Sequence, residues 1–196
     1  MAMNWIENLL ILAGISLDIF AAMECQGSLV AKVDKKHLSI ICILIAVWQM
    51  AALFIGNYIS VLLYSYSGHI ANDGKFMGFV LATAIFFGLG IRLIVKAVRN
   101  ERVYEKREEN LGFKRFLRMA AITSGYTLLT GVAFGFLQTN LLRILIMIVC
   151  CTIVVVIAGM YTGYRLGFVH KTKAYIGGAV LLWIAGVDVI VRYIGV

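Results

Sequence analysis

Three long stretches of the sequence, 38–68, 119–142 and 144–164, contain no Asp, Glu, Lys or Arg. Each is apolar on every face rather than at alternate positions. A hydrocarbon core about 30 Å thick is crossed by roughly 20 residues at helical rise. Backbone in lipid must satisfy its own hydrogen bonds, which leaves a helix or a closed barrel. Barrel strands alternate apolar and polar positions, so these stretches read as helices. Three further apolar runs are interrupted by single charges: Asp18 and Glu24 in the first span, Arg92 in the third and Asp188 in the sixth. The pattern predicts an all-α membrane protein of six transmembrane helices, at about 5–30, 38–63, 76–98, 116–138, 141–165 and 174–194.

The two halves of the chain resemble each other. GLGIRLIVK (88–96) in the third span matches IAGVDVIVR (184–192) in the sixth, aligning Gly90 with Gly186. IGNY (55–58) in the second matches AGMY (158–161) in the fifth. ISLD followed by Gly27 in the first matches TSGY followed by Gly135 in the fourth, which sets Asp18 opposite Tyr126. The organisation expected is a first three-helix repeat at 1–98, a charged linker at 99–115 and a second three-helix repeat at 116–196. An odd number of spans per half inverts the second against the first. Inverted repeats are typical of secondary transporters, with the substrate site near the midplane. A duplicated scaffold that transports nothing is the bland alternative.

Composition agrees, at 62% hydrophobic and 14% charged residues, where soluble domains run near a quarter charged. The net charge of +8 could suggest nucleic acid, but the bases flank the spans and are not interleaved with stacking aromatics. They instead follow the positive-inside rule. Lys32, Lys35, Lys36, Lys96, Arg99, Arg102, Lys106, Arg107, Lys114, Arg115, Arg118, Arg165, Lys171 and Lys173 lie on one side, against Lys75, Arg143 and Arg192 on the other. Both termini are therefore expected outside and the 99–115 linker in the cytoplasm. Proline is absent, so any kink falls to glycine or serine. The cysteines (Cys25, Cys42, Cys150, Cys151) lie in apolar stretches and read as small buried hydrophobes. His37, His69 and His170 sit at loops or span ends without a catalytic constellation, so no enzyme is expected.

The candidate chemistry is the set of polar residues inside the spans. An ionisable group at the bilayer centre costs about 2.5–3.5 kcal/mol on insertion scales and calls for a partner or a function. Asp18 is the deepest acid of the first span, Cys25 shares its face, and Glu24 points away toward the cytoplasmic end. Arg92 and Asp188 occupy equivalent repeat positions and are expected to form a structural ion pair. Gln49 and Asn57, with Thr123, Ser124 and Tyr126, complete the polar inventory. With Asp18 they offer oxygen ligands, which suit Mn²⁺ or Mg²⁺ better than thiolate-loving metals.

GISLDIFAA (14–22), TSGYTLLTGVAFGFLQTN (123–140) and GGAVLLWIAG (177–186) together resemble the MntP-type manganese efflux pumps of the LysE-like exporter group. The resemblance covers nearly the whole chain. It implies six helices in two inverted repeats, a multi-pass protein of the bacterial inner membrane, and export of Mn²⁺ as cargo with no resident cofactor. The candidate metal or substrate residues are Asp18, Glu24, Cys25, Gln49, Thr123, Ser124 and Tyr126, and of the membrane acids that the resemblance implies only Asp18 stands at its place. The chain departs from the family pattern where Tyr126 replaces an aspartate, Gln49 a glutamate and Ala52 a proline. Export of another small solute by the same fold stays open, as does a homodimer. The partners expected are the lipid bilayer and the transported cation.

Overall fold

In the computed structural model the described residues are 5–29, 35–67, 74–99, 113–137, 139–167 and 169–194. They form six helices: α1 (Trp5–Gly27), α2 (Lys35–Ser67), α3 (Gly74–Arg99), α4 (Phe113–Phe136), α5 (Leu141–Leu166) and α6 (Lys171–Ile194). All six are long and apolar enough to cross a membrane. Their ends fall within a few residues of those read from the sequence, because each run stops where charge or glycine begins. α5 illustrates the local control. Asn140 caps its start by accepting from the Arg143 amide, and Gly167 ends it at φ 71°, a backbone region that glycine enters without steric cost. Of the 99–115 linker, residues 100–112 lie outside the described residues, as does His69.

The most extensive helix pairings are α2 with α4 and α1 with α5. α3 packs on α6, and the smaller seams α1–α6 and α3–α4 close the bundle. Small residues let membrane helices approach closely, and here they do so reciprocally. A Cβ on Gly56 would run into Leu128 O, Val132 N and Gly131 Cα across the α2–α4 seam. A Cβ on Gly159 would meet Phe20 O, Glu24 N and Met23 Cβ across α1–α5, the first two at 2.8 and 3.4 Å. On α3–α6, Gly90 lies against the Trp183 indole and Gly186 against the Phe87 ring.

Buried apolar side chains fill two clusters. One, around Ile11, Leu12, Leu53, Phe86, Phe134, Ile148 and Leu182, joins all six helices. The other, around Ile19, Met23, Ile45, Val156 and Met160, lies between α1, α2, α4 and α5. Outward positions such as Ile43, Val47, Phe54, Leu142, Val154 and Val191 are large, apolar and exposed, the face that a bilayer covers. The cysteines divide: Cys42 is buried, Cys25 and Cys151 are half-buried, and Cys150 is exposed. The expectation of buried cysteines thus fails at Cys150, which sits on an outward face where lipid makes apolar exposure harmless.

Candidate functional site

Asp18 lies two-thirds of the way along α1, 1% exposed, and its partner is a residue of α3. The Lys96 ammonium donates to Asp18 Oδ1 at 2.5 Å. The two ends of this bond differ in environment. Asp18 is sealed, whereas the Lys96 side chain remains 32% exposed. A lysine of this kind buries its methylene stem and keeps a route to the polar end of the bundle. Asp18 Oδ2 is buried and makes no hydrogen bond among the described residues.

Aromatic rings complete the surroundings of the ammonium. Lys96 Nζ lies 5.3 Å from the Tyr126 ring centroid on α4 and 5.0 Å from that of Tyr175 on α6. Both distances fall inside cation–π range. The Arg92 guanidinium, one turn before Lys96, lies 4.8 Å from the same Tyr126 ring. Four helices thus converge on one carboxylate: α1 supplies it, α3 two cations, and α4 and α6 a tyrosine each.

This arrangement corrects the ion pair expected between Arg92 and Asp188. Among the described residues no such pair forms, and Arg92 faces Tyr126 instead. The reason is depth. α3 and α6 run antiparallel through the contacts of Phe87 with Gly186 and of Gly90 with Trp183. Arg92 and Asp188 lie beyond that crossing in opposite directions. At about 1.5 Å rise per residue they are separated by roughly 10 Å along the bundle. Equivalent positions in antiparallel helices meet only at the crossing itself.

Glu24 forms a second centre, six residues further along α1 and fully buried. Its Oε1 accepts from the His170 amide at 2.8 Å, with His170 Nδ1 at 3.7 Å. The His170 carbonyl in turn accepts from the Ala174 amide, so the carboxylate sits at the start of α6, where free amides and the helix dipole favour an anion. Glu24 Oε2 is buried and makes no hydrogen bond among the described residues. Cys25 is half-buried beside it, and its carbonyl accepts from Ser28 Oγ.

The remaining candidates lie on the α2–α4 seam. The Gln49 side chain donates to Thr123 Oγ1 at 3.3 Å and accepts from Thr127 Oγ1. Ser124 points outward and accepts from Trp48 Nε1 at 3.1 Å. No hydrogen bond among the described residues joins this seam to Asp18. The sequence-based set therefore separates into Asp18 with Tyr126, Glu24 with Cys25, and Gln49 with Thr123. Lys96, Tyr175, Thr127 and His170 were missed. Lys96 had a signal, since it follows Arg92 by four residues and so shares its helical face inside the expected third span. Among the described residues no group of three or more His, Cys, Asp or Glu could hold a metal ion.

Residues 32–190 match the family Mntp, described as "Putative manganese efflux pump". Curated relatives carry the same name. A Campylobacter jejuni protein is 29% identical over 192 residues, covering 98% of each chain. A Serratia proteamaculans protein is 27% identical over 194 residues, again covering 98% of each. One from Methanosarcina barkeri is 27% identical over 186 residues, covering 94% of this chain and 95% of its own. No solved structure matches.

Proposed function

The chain belongs to the Mntp family of manganese efflux pumps, and from that membership we propose that it is a secondary exporter of Mn²⁺ in which Asp18 receives the ion. The observation that carries this reading is the sealed Asp18 carboxylate where α1, α3, α4 and α6 converge, with Oδ2 unpartnered. A hard divalent cation takes carboxylate oxygens, and a buried ionisable residue in a membrane bundle is costly unless it serves such a role. Glu24, with its own unpartnered oxygen, serves as a second carboxylate on the same helix, about 9 Å of axis away. The ion passes it on the way to Asp18. Family membership gives a transporter class, and no step of this reading breaks or forms a covalent bond.

The two halves work as inverted repeats that rock against each other. The reciprocal glycine contacts support this, since Gly56 on Leu128, Gly131 and Val132 is repeated by Gly159 on Phe20, Met23 and Glu24 in the alignment read from the sequence. Gly90 on Trp183 and Gly186 on Phe87 exchange in the same way. The excess of Lys and Arg beside α1, α3 and α5 supports termini outside and the linker inside. Glu24 then lies at the cytoplasmic end, where ions enter.

The test is growth and cell-associated Mn²⁺ under manganese load in a bacterium lacking its own exporter, with membrane expression confirmed by blot. The parent chain is expected to restore growth and lower cell Mn²⁺. Asp18→Asn should abolish both effects, Glu24→Gln should weaken them, and Arg143→Gln on the outer flank should leave them intact. Failure of the parent chain, or full rescue by Asp18→Asn, overturns the reading.

A further inference from the structure

Resting on that reading, we propose that Lys96 is a tethered cation that occupies Asp18 between transport events and competes with the transported ion for it. Its bond to Oδ1 fills the place a cargo cation would take. Three observations distinguish a competitor from a permanent structural counter-ion. First, the pair is lopsided: Asp18 is sealed while Lys96 is one-third exposed, so the ammonium can leave without unfolding anything. A lysine is a compact charge on a flexible stem, suited to such an excursion. Second, a resting place for the displaced ammonium already exists. The Tyr126 and Tyr175 rings lie 5.3 and 5.0 Å from Nζ, and aromatic faces attract a cation without supplying a full negative charge. Third, Asp18 Oδ2 has no partner, which leaves an oxygen on which an arriving ion can begin to bind while Lys96 still holds the other.

Competition has a thermodynamic consequence. A ligand that binds only the fraction of protein with Asp18 open shows an apparent Kd raised by the inverse of that fraction. If Lys96 holds Asp18 about nine-tenths of the time, the penalty is about tenfold. The same competition speeds release, because the returning ammonium displaces the ion from an otherwise sticky carboxylate. The Arg92 guanidinium lies 4.8 Å from the centroid of the same Tyr126 ring, so the displaced ammonium shares Tyr126 with a second cation and has Tyr175 as its other ring.

The experiment compares the full chain with Lys96→Met and Lys96→Arg, purified in detergent for Mn²⁺ binding by calorimetry and reconstituted in vesicles for Mn²⁺ flux. Methionine removes the competitor, so Kd should fall about tenfold and turnover should slow. Arginine is a stronger, bidentate competitor, so Kd and KM should rise severalfold. Opposite movement of affinity in the two variants is the result that a merely structural role does not produce. Unchanged or weakened affinity in Lys96→Met, with the parent binding Mn²⁺, overturns the proposal and leaves the efflux reading standing. If Lys96→Met does not fold, an unchanged KM in Lys96→Arg overturns it equally. A parent chain that neither binds nor moves Mn²⁺ overturns both.

Discussion

Neutralising the two ends of the Lys96–Asp18 bond should have unequal effects on stability, and the structure says which is larger. Two unit charges 2.5 Å apart attract by about 7 kcal/mol at an effective dielectric of 20. Most of that offsets the desolvation of a carboxylate only 1% exposed, so the net gain is far smaller. Breaking a buried pair by removing one partner costs about 3–5 kcal/mol, because the other charge is left uncompensated. Lys96→Met leaves Asp18 in that position, and its cost should be in this range, eased where Asp18 takes up a proton. Asp18→Asn instead leaves an ammonium that can withdraw along its exposed side, so its cost should be about 1 kcal/mol, as for surface pairs. The double variant has no orphan charge and should be closer to the parent than Lys96→Met is. The assay is thermal unfolding of the purified chain in detergent, with Cys25, Cys150 and Cys151 replaced by alanine in every variant, followed by reaction of a maleimide dye with the remaining buried Cys42. Saturating Mn²⁺ should raise the midpoint of Lys96→Met more than that of the double variant, since both keep Glu24 but only the former keeps the Asp18 carboxylate. Equal losses in the two single variants, or additivity in the double, would refute the reasoning.

Gly163 and Gly88 make a matched pair for the helix seams. A Cβ on Gly163 runs into the Glu24 carbonyl, whereas Gly88 has nothing within 4 Å. Gly163→Ala should lower stability by about 1–3 kcal/mol through overpacking, and Gly88→Ala should raise it by about 0.5–1 kcal/mol through helix propensity; the same melt reads both. Thr127→Val removes the hydroxyl that donates to Gln49 Oε1, an oxygen in a fully buried residue, and should cost about 1–3 kcal/mol. Its Mn²⁺ affinity, measured by calorimetry, should equal the parent's, because that seam makes no hydrogen bond to Asp18.

The spans were legible because nothing but helix length and apolarity decides them. In lipid the backbone has one solution, so 141–165 falls within a residue of α5, and 38–63 and 116–138 fall within two to four residues of the ends of α2 and α4. The pairing of side chains was less legible, for reasons that differ by residue. Lys96 was grouped with the bases flanking the spans because a lysine near a helix end usually turns to the interface. Its stem reaches inward instead, to an acid on a helix 78 positions away. Gln49 and Thr123 were grouped with Asp18 because all are polar and intramembrane, yet Gln49 has both its amide ends engaged on the α2–α4 seam. A polar residue whose partners lie on one neighbouring helix is glue between helices, and sequence spacing cannot tell it from a ligand. Arg92 and Asp188 read as partners because they occupy equivalent positions, but α3 and α6 run antiparallel and the two residues lie on opposite sides of the helix crossing.

That rule has one informative complement. Asp18 and Tyr126 are also equivalent in the alignment, yet both touch Lys96, one through a hydrogen bond and the other through its ring. At this one pair the two equivalents differ chemically and share a cation. Two carboxylates around one ammonium would hold it from both sides, and an arriving divalent ion would have to dislodge it from both. A carboxylate opposite a ring holds it on one side strongly and on the other weakly, since a cation–π contact is worth about 0.5–2 kcal/mol. The lysine then has a preferred station and a lesser one, which is what a device that opens and recloses a site requires. Tyrosine in place of the resembled family's aspartate does remove an oxygen ligand. In exchange it gives the built-in cation of α3 somewhere to stand while Asp18 is occupied.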